Sequence, residues 1–175
     1  MTPPSTSRSG GAAGLATAYL RTGDRVGVVV LGGVLRWLAP APGNRQFFRI
    51  VEMVFGVRFP SEAIPDLDRV PRTALPPRAL VVLFSPLLDR RALTAVTDLR
   101  QRGVSLVVVD VLTHEPPAER RLPLSQLAVR LWRLDRSALR ASLAGLGVPV
   151  LSWDSGTGLE GAQVPLRGRR VRAAR

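Results

Sequence analysis

Between residues 78 and 112 the chain reads RALVVLFSPLLDRRALTAVTDLRQRGVSLVVVDVL, and this stretch constrains the fold more than any other. Residues 80–84 and 104–109 are short, nearly unbroken apolar runs rich in valine, the pattern of parallel strands covered on both faces. Between them Leu88, Ala92, Val96 and Leu99 recur at helical spacing, with Arg91, Asp98 and Arg102 off that stripe. Asp89 is placed to cap the helix start, and Gly103 to take the left-handed turn that ends it. Two buried strands joined by a helix form a right-handed crossover, so the unit predicts the centre of an α/β sheet.

The flanking sequence extends the same architecture. Ala12, Leu15, Ala16, Tyr19 and Leu20 predict a helix from Gly10 to Thr22, with residues 1–9 as a disordered start. Residues 26–31 and 34–38 read as a hairpin closed by Gly32-Gly33 in a two-residue turn. No third glycine or helix start follows that pair, so the dinucleotide-binding fingerprint fails. A helix follows over 44–56, with Phe47, Ile50, Val51, Val54 and Phe55 as its core stripe. Residues 57–77 carry five prolines and predict a long connection with one helical turn near 66–69.

Past the central unit, THEPPAERR (113–121) is a polar loop holding the single histidine, His114. The longest helix then starts at Leu122 or Pro123. Leu124, Leu127, Ala128, Leu131, Leu134, Ala138 and Leu139 mark its expected core face, with Arg130, Arg133, Arg136 and Arg140 on the solvated one. Gly145 and Gly147 end it, 148–153 is the last strand, and 155–175 is a Gly/Arg-rich tail. The expected domain spans 10–154. Its class is α/β, a three-layer, mostly parallel sheet with flanking helices and one hairpin near an edge.

Composition narrows the function classes. The 175 residues carry a net charge of +12, and all 25 basic residues are arginine. That charge suits a nucleic-acid surface, but the abundance of Ala, Gly, Pro, Val and Leu beside it is also the mark of GC-rich coding; both readings stay open. Cysteine is absent, which excludes disulfides and thiolate metal sites. No apolar run approaches the ~18–20 residues of a membrane helix, and the first residues lack the apolar core of a signal peptide.

Several phrases in order resemble the C-terminal part of the domain-of-unknown-function 58 family. They are GDRVGVVVLGG with LRWLAP and GNRQFFRIVE in 23–52, ALVVLFSPLLD in 79–89, RGVSLVVVD in 102–110 and LWRLDRSALRASLAGLGVPVLSWD in 131–154. The resemblance implies a von Willebrand factor A-like fold and a protein-interaction or assembly role beside a MoxR-type AAA ATPase. It implies a cytoplasmic module, in relatives whose full-length forms are often membrane-anchored. Domains of that fold often hold a divalent cation through an Asp-x-Ser-x-Ser loop after the first strand, a Thr, and an Asp after the fourth strand. This chain has no Asp-x-Ser-x-Ser, and Ser85-Pro86-Leu87 follows the 80–84 strand, so no metal or other cofactor is expected. The fold's first central strand should precede the Gly10 helix, where only MTPPSTSRS stands. The expectation is therefore of a partial domain, lacking that strand and its loop.

In an open α/β sheet, ligands meet the carboxyl ends of the strands. That rule singles out Ser85, Leu87, Asp89, Asp110 and Asp154 as a partner-binding rim. Ser85, Asp110, His114 and Asp154 can also be drawn as a hydrolytic set, but GxSxG is absent and no nucleophile elbow is supported. The expected role is thus a non-enzymatic interaction module. Nucleic-acid binding through Arg130, Arg133, Arg136 and Arg140 with the tail is the alternative, and a hydrolase of unknown substrate the third reading.

Overall fold

The computed structural model describes residues 4–31, 35–56, 70, 72–88, 90–112, 115 and 123–153. In chain order these form α1 (Pro4–Arg21), β1 (Val26–Val30), β2 (Arg36–Ala41), α2 (Asn44–Phe55), β3 (Leu80–Ser85), α3 (Arg90–Gln101), β4 (Ser105–Asp110), α4 (Pro123–Gly145) and β5 (Val150–Ser152). A short 3-10 turn covers Arg72–Ala74. The fold is mixed α/β, with a three-stranded parallel sheet flanked by helices. Among the described residues no helix is long and apolar enough to cross a membrane.

The central crossover forms as its sequence demands. β3 and β4 pair in parallel from Leu80↔Ser105 to Ser85↔Asp110, and β5 adds beyond β4. Gly103 takes φ 73° and Gly147 φ 67°, the left-handed turns that end α3 and α4. Val96 and Leu99 of α3 pack with Leu106 and Val108 of β4, Leu143 of α4, Val148, Val70 and Ala74. Leu88, expected on the α3 stripe, instead lies ahead of the helix and is exposed. Asp89, its expected cap, lies outside the described residues.

On the opposite face, Leu15 and Tyr19 of α1 pack with Leu80, Val82, Phe84, Val107 and Leu151. Gly11 has a packing purpose there: a Cβ on it would sit 2.9 Å from the Phe84 ring, so only glycine lets α1 come this close. α1 also begins at Pro4, ahead of the expected Gly10, in a stretch read as disordered.

The hairpin differs more. β1 and β2 are antiparallel, but the register Val30↔Arg36 leaves residues 31–35 between them, so a two-residue turn at Gly32-Gly33 does not fit. Residues 32–34 themselves lie outside the described set. At the other end the register shifts between Val26 and Val28, and the buried Gln46 of α2 compensates for the broken ladder. Its Nε2 donates to Val26 O (2.7 Å) and to Ala39 O (2.9 Å). The α2 core is narrower than its periodicity predicts: Ile50 is buried and Phe47, Val51 and Val54 are half-buried, whereas Phe55 is exposed.

The expected single sheet is not formed. Among the described residues no ladder joins β1 to β3, so the five strands make a hairpin and a separate parallel sheet. Val29 and Leu31 nevertheless reach the cluster that holds Val81 and Leu83, while Val26 and Val28 pack with Ala16 and Ile50. Side chains thus bridge where backbone hydrogen bonds do not. The helical turn expected near 66–69, the tail 155–175 and Asp154 lie outside the described residues.

Candidate functional site

The register of the parallel sheet sets Ser85, Asp110 and Ser152 side by side at the carboxyl ends of β3, β4 and β5. Strand ends of this kind leave carbonyls and side chains pointing past the sheet, where an α/β protein usually receives a ligand. Here α4 lies over the β4 end, Ser85 and Asp110 are buried, and Ser152 stays exposed. Asp110 is 1% exposed, and both of its carboxylate oxygens accept hydrogen bonds. Oδ1 accepts from the Leu112 N–H at 3.1 Å. Oδ2 accepts from Nη2 of Arg136 and, at 2.9 Å, from Nη2 of Arg140.

Arg136 is itself buried. Its Nη1 donates to Pro86 O at 2.9 Å, and its guanidinium lies 5.3 Å from the centre of the Trp132 ring. The chain after β3 is shaped by the same contacts. Leu87 is buried at φ 53°, a left-handed conformation that costs a non-glycine residue roughly 1–2 kcal/mol. The Ser85 hydroxyl accepts the Leu87 N–H at 3.1 Å, so the turn is tied down from both sides. A carboxylate buried with two guanidiniums is a satisfied ion cluster, whose main energetic meaning is that removing either sign strands the other.

Ser85, Leu87 and Asp110 are therefore brought together as expected, but turned inward under α4 rather than outward as a rim. Asp89, His114 and Asp154 lie outside the described residues. The donor set does not fit a divalent cation, because Asp110 is neutralised by arginine and Ser85 offers one hydroxyl already engaged with backbone. Among the described residues no three His, Asp or Glu side chains gather in a metal-binding group. A surface depression of about 300 Å³ is lined by Leu93, Thr94, Thr97, Asp98 and Gln101. All five belong to α3, so no polar group converges on it from a second element.

The four arginines of α4 do not share one solvated face. Arg136 is inside, and Arg140 is half exposed and bound to Asp110. Arg133 grips Glu115 in a two-pronged pair at 2.6 and 2.7 Å. That bond holds the Glu115 carboxyl below its ordinary range and raises the Arg133 guanidinium. Arg130 is exposed.

What sequence reasoning missed is the other side of the helix. The expected core residues Leu124, Leu127, Leu131 and Leu134 are 80%, 52%, 54% and 65% exposed. Ala128 and Ala138 are exposed as well. The buried side is Val129, Arg136 and Leu143, with Trp132 and Leu139 half-buried beside them. Both sets repeat every three or four residues, so periodicity alone does not choose between them. The available signal was that α4 carries two apolar stripes, one of which must face away. Four leucines left largely in water each forgo about 1–2 kcal/mol of burial. No family model, curated protein or solved structure matches the chain.

Proposed function

We propose that the chain is a non-enzymatic protein-interaction or assembly module of von Willebrand factor A-like type, working without a metal centre, and that α4 is the surface it offers. The observation that carries this reading is the row of four leucines on one helix, each more than half exposed. A helix that presents such a row is complementary to a second amphipathic helix, whose apolar stripe would lie along it. The likeness to the domain-of-unknown-function 58 family makes a MoxR-type AAA ATPase the first protein partner to try, and the cytoplasm the compartment.

Nucleic-acid binding is less well supported. It would call on Arg130, Arg133, Arg136 and Arg140 with the tail, and three of those four helix arginines, Arg133, Arg136 and Arg140, already hold carboxylates. A hydrolase would need a general base for the Ser85 hydroxyl, and Asp110, its neighbour in the β3–β4 register, is already engaged by Arg136 and Arg140.

Site-specific photocrosslinking in cells tests the reading. A photoreactive side chain at Leu127 should yield a discrete protein adduct, and one at Asn44 on α2 should not. Nucleic-acid adducts from position 130 with no protein adduct from position 127 would overturn it.

A further inference from the structure

Resting on the docking role of α4, we infer that its occupant is a second copy of this chain, joined in parallel along a two-helix seam. The leucines recur at intervals of three, four and three residues, from Leu124 through Leu127 and Leu131 to Leu134. That is the 3.5-residue period of positions a and d in a coiled coil, and Ala138, Ala141 and Gly145 continue it with small residues. All of these positions are exposed. At 3.6 residues per turn the row lies roughly half a turn from Arg136, so the rest of the domain sits behind the helix and leaves the seam open.

Charge chooses the partner and its direction. In this register Arg130 occupies position g and Asp135 the e position of the next heptad. A parallel pair of identical helices sets each g beside the e five residues further on in the partner. Arg130 of one copy therefore meets Asp135 of the other, and the two-fold axis repeats the contact. Both side chains are exposed, and Arg130 is the one arginine named on α4 that holds no carboxylate among the described residues. An antiparallel pair would set g against g and e against e. Among Arg130, Ser137, Asp135 and Ser142 it would bring no opposite charges together. A two-fold parallel seam thus uses both the leucine row and the flanking charges, and a foreign partner need use only the first.

The experiment uses the full chain, which has no cysteine of its own, so any introduced thiol reports one contact. Sedimentation equilibrium should give a dimer by about 100 μM, the range expected for a seam of two leucine-filled heptads. Leu134→Cys should oxidise to a disulfide-linked dimer, while Asn44→Cys should not, because only in-register parallel helices bring position d beside its own copy. Asp135→Arg should weaken dimerisation by about ten-fold, and Arg130→Asp combined with Asp135→Arg should restore it. Leu127→Glu with Leu131→Glu should give a monomer that melts as the parent monomer does. A parent chain that stays monomeric overturns the inference. So does a dimer that Leu134→Cys fails to link, or a Leu127 crosslink to the chain's own residues 154–175. A Leu127 adduct with a different protein, on a monomeric chain, overturns the second copy yet leaves the docking role standing; no protein adduct and no dimer remove both.

Discussion

The two sides of α4 reverse the usual arrangement of a surface helix. Its inner side carries a buried arginine on a buried aspartate, and its outer side carries four exposed leucines. Turning the helix over would bury the leucines, at about 1–2 kcal/mol each, but would take Arg136 and Arg140 away from Asp110. A carboxylate stranded beneath a helix costs several kcal/mol, and Val129, Leu139 and Leu143 already supply an apolar inner surface. The pair of faces teaches that one buried charge can set a helix's rotation against its most hydrophobic stripe. It also leaves that stripe free for another molecule.

The largest expected effect lies on the inner side. Asp110→Ala should lower unfolding stability by about 3–5 kcal/mol, read from the urea midpoint, because Arg136 remains buried without its carboxylate. Adding Arg136→Met should cost less than the sum of the two single changes, by about 1 kcal/mol or more. Strict additivity would break the comparison, since the two charges would then not act as a unit. Arg140→Ala should cost only about 1 kcal/mol, because that guanidinium is half in water and Arg136 still neutralises Asp110.

On the outer side Leu131→Glu should change the stability of the monomer, measured in dilute solution, by no more than about 0.5 kcal/mol. A loss of 2 kcal/mol or more, the range of a buried leucine, would mean the stripe is packed within its own chain. The smallest effect belongs to the exposed Arg133–Glu115 pair. The side-chain hydrogen bond from Arg133 leads in lowering the Glu115 carboxyl below its ordinary 4.5. A carboxyl depressed in the folded state contributes its stability above the unfolded value and loses it as pH falls through the folded one. Any contribution from this pair should therefore fade only below pH 4.5. A carboxyl-carbon NMR titration should show Glu115 low in the parent and back near its ordinary value in Arg133→Ala.

Local pattern was enough for the elements themselves. The valine runs of β3 and β4, the spacing of Ala92, Val96 and Leu99, and the left-handed glycines after α3 and α4 are each settled within a few residues of chain. The α2 and α4 spans and the parallel crossover were legible for the same reason. Rotation and assembly were not. Whether α4 shows its leucines or its arginines to the sheet depends on Asp110, 26 residues before Arg136, and on the burial that makes its charge expensive. The length of the hairpin loop depends on which residue of β2 faces Val30, and a Gly-Gly pair cannot specify that register. The separation of β1 from β3 depends on backbone pairing between strands some fifty residues apart, where side chains of both meet one cluster without forming a ladder. Period and propensity are properties of neighbours in sequence, so they determined the elements. Charge neutralisation and strand pairing join distant residues, and only the tertiary structure decided them.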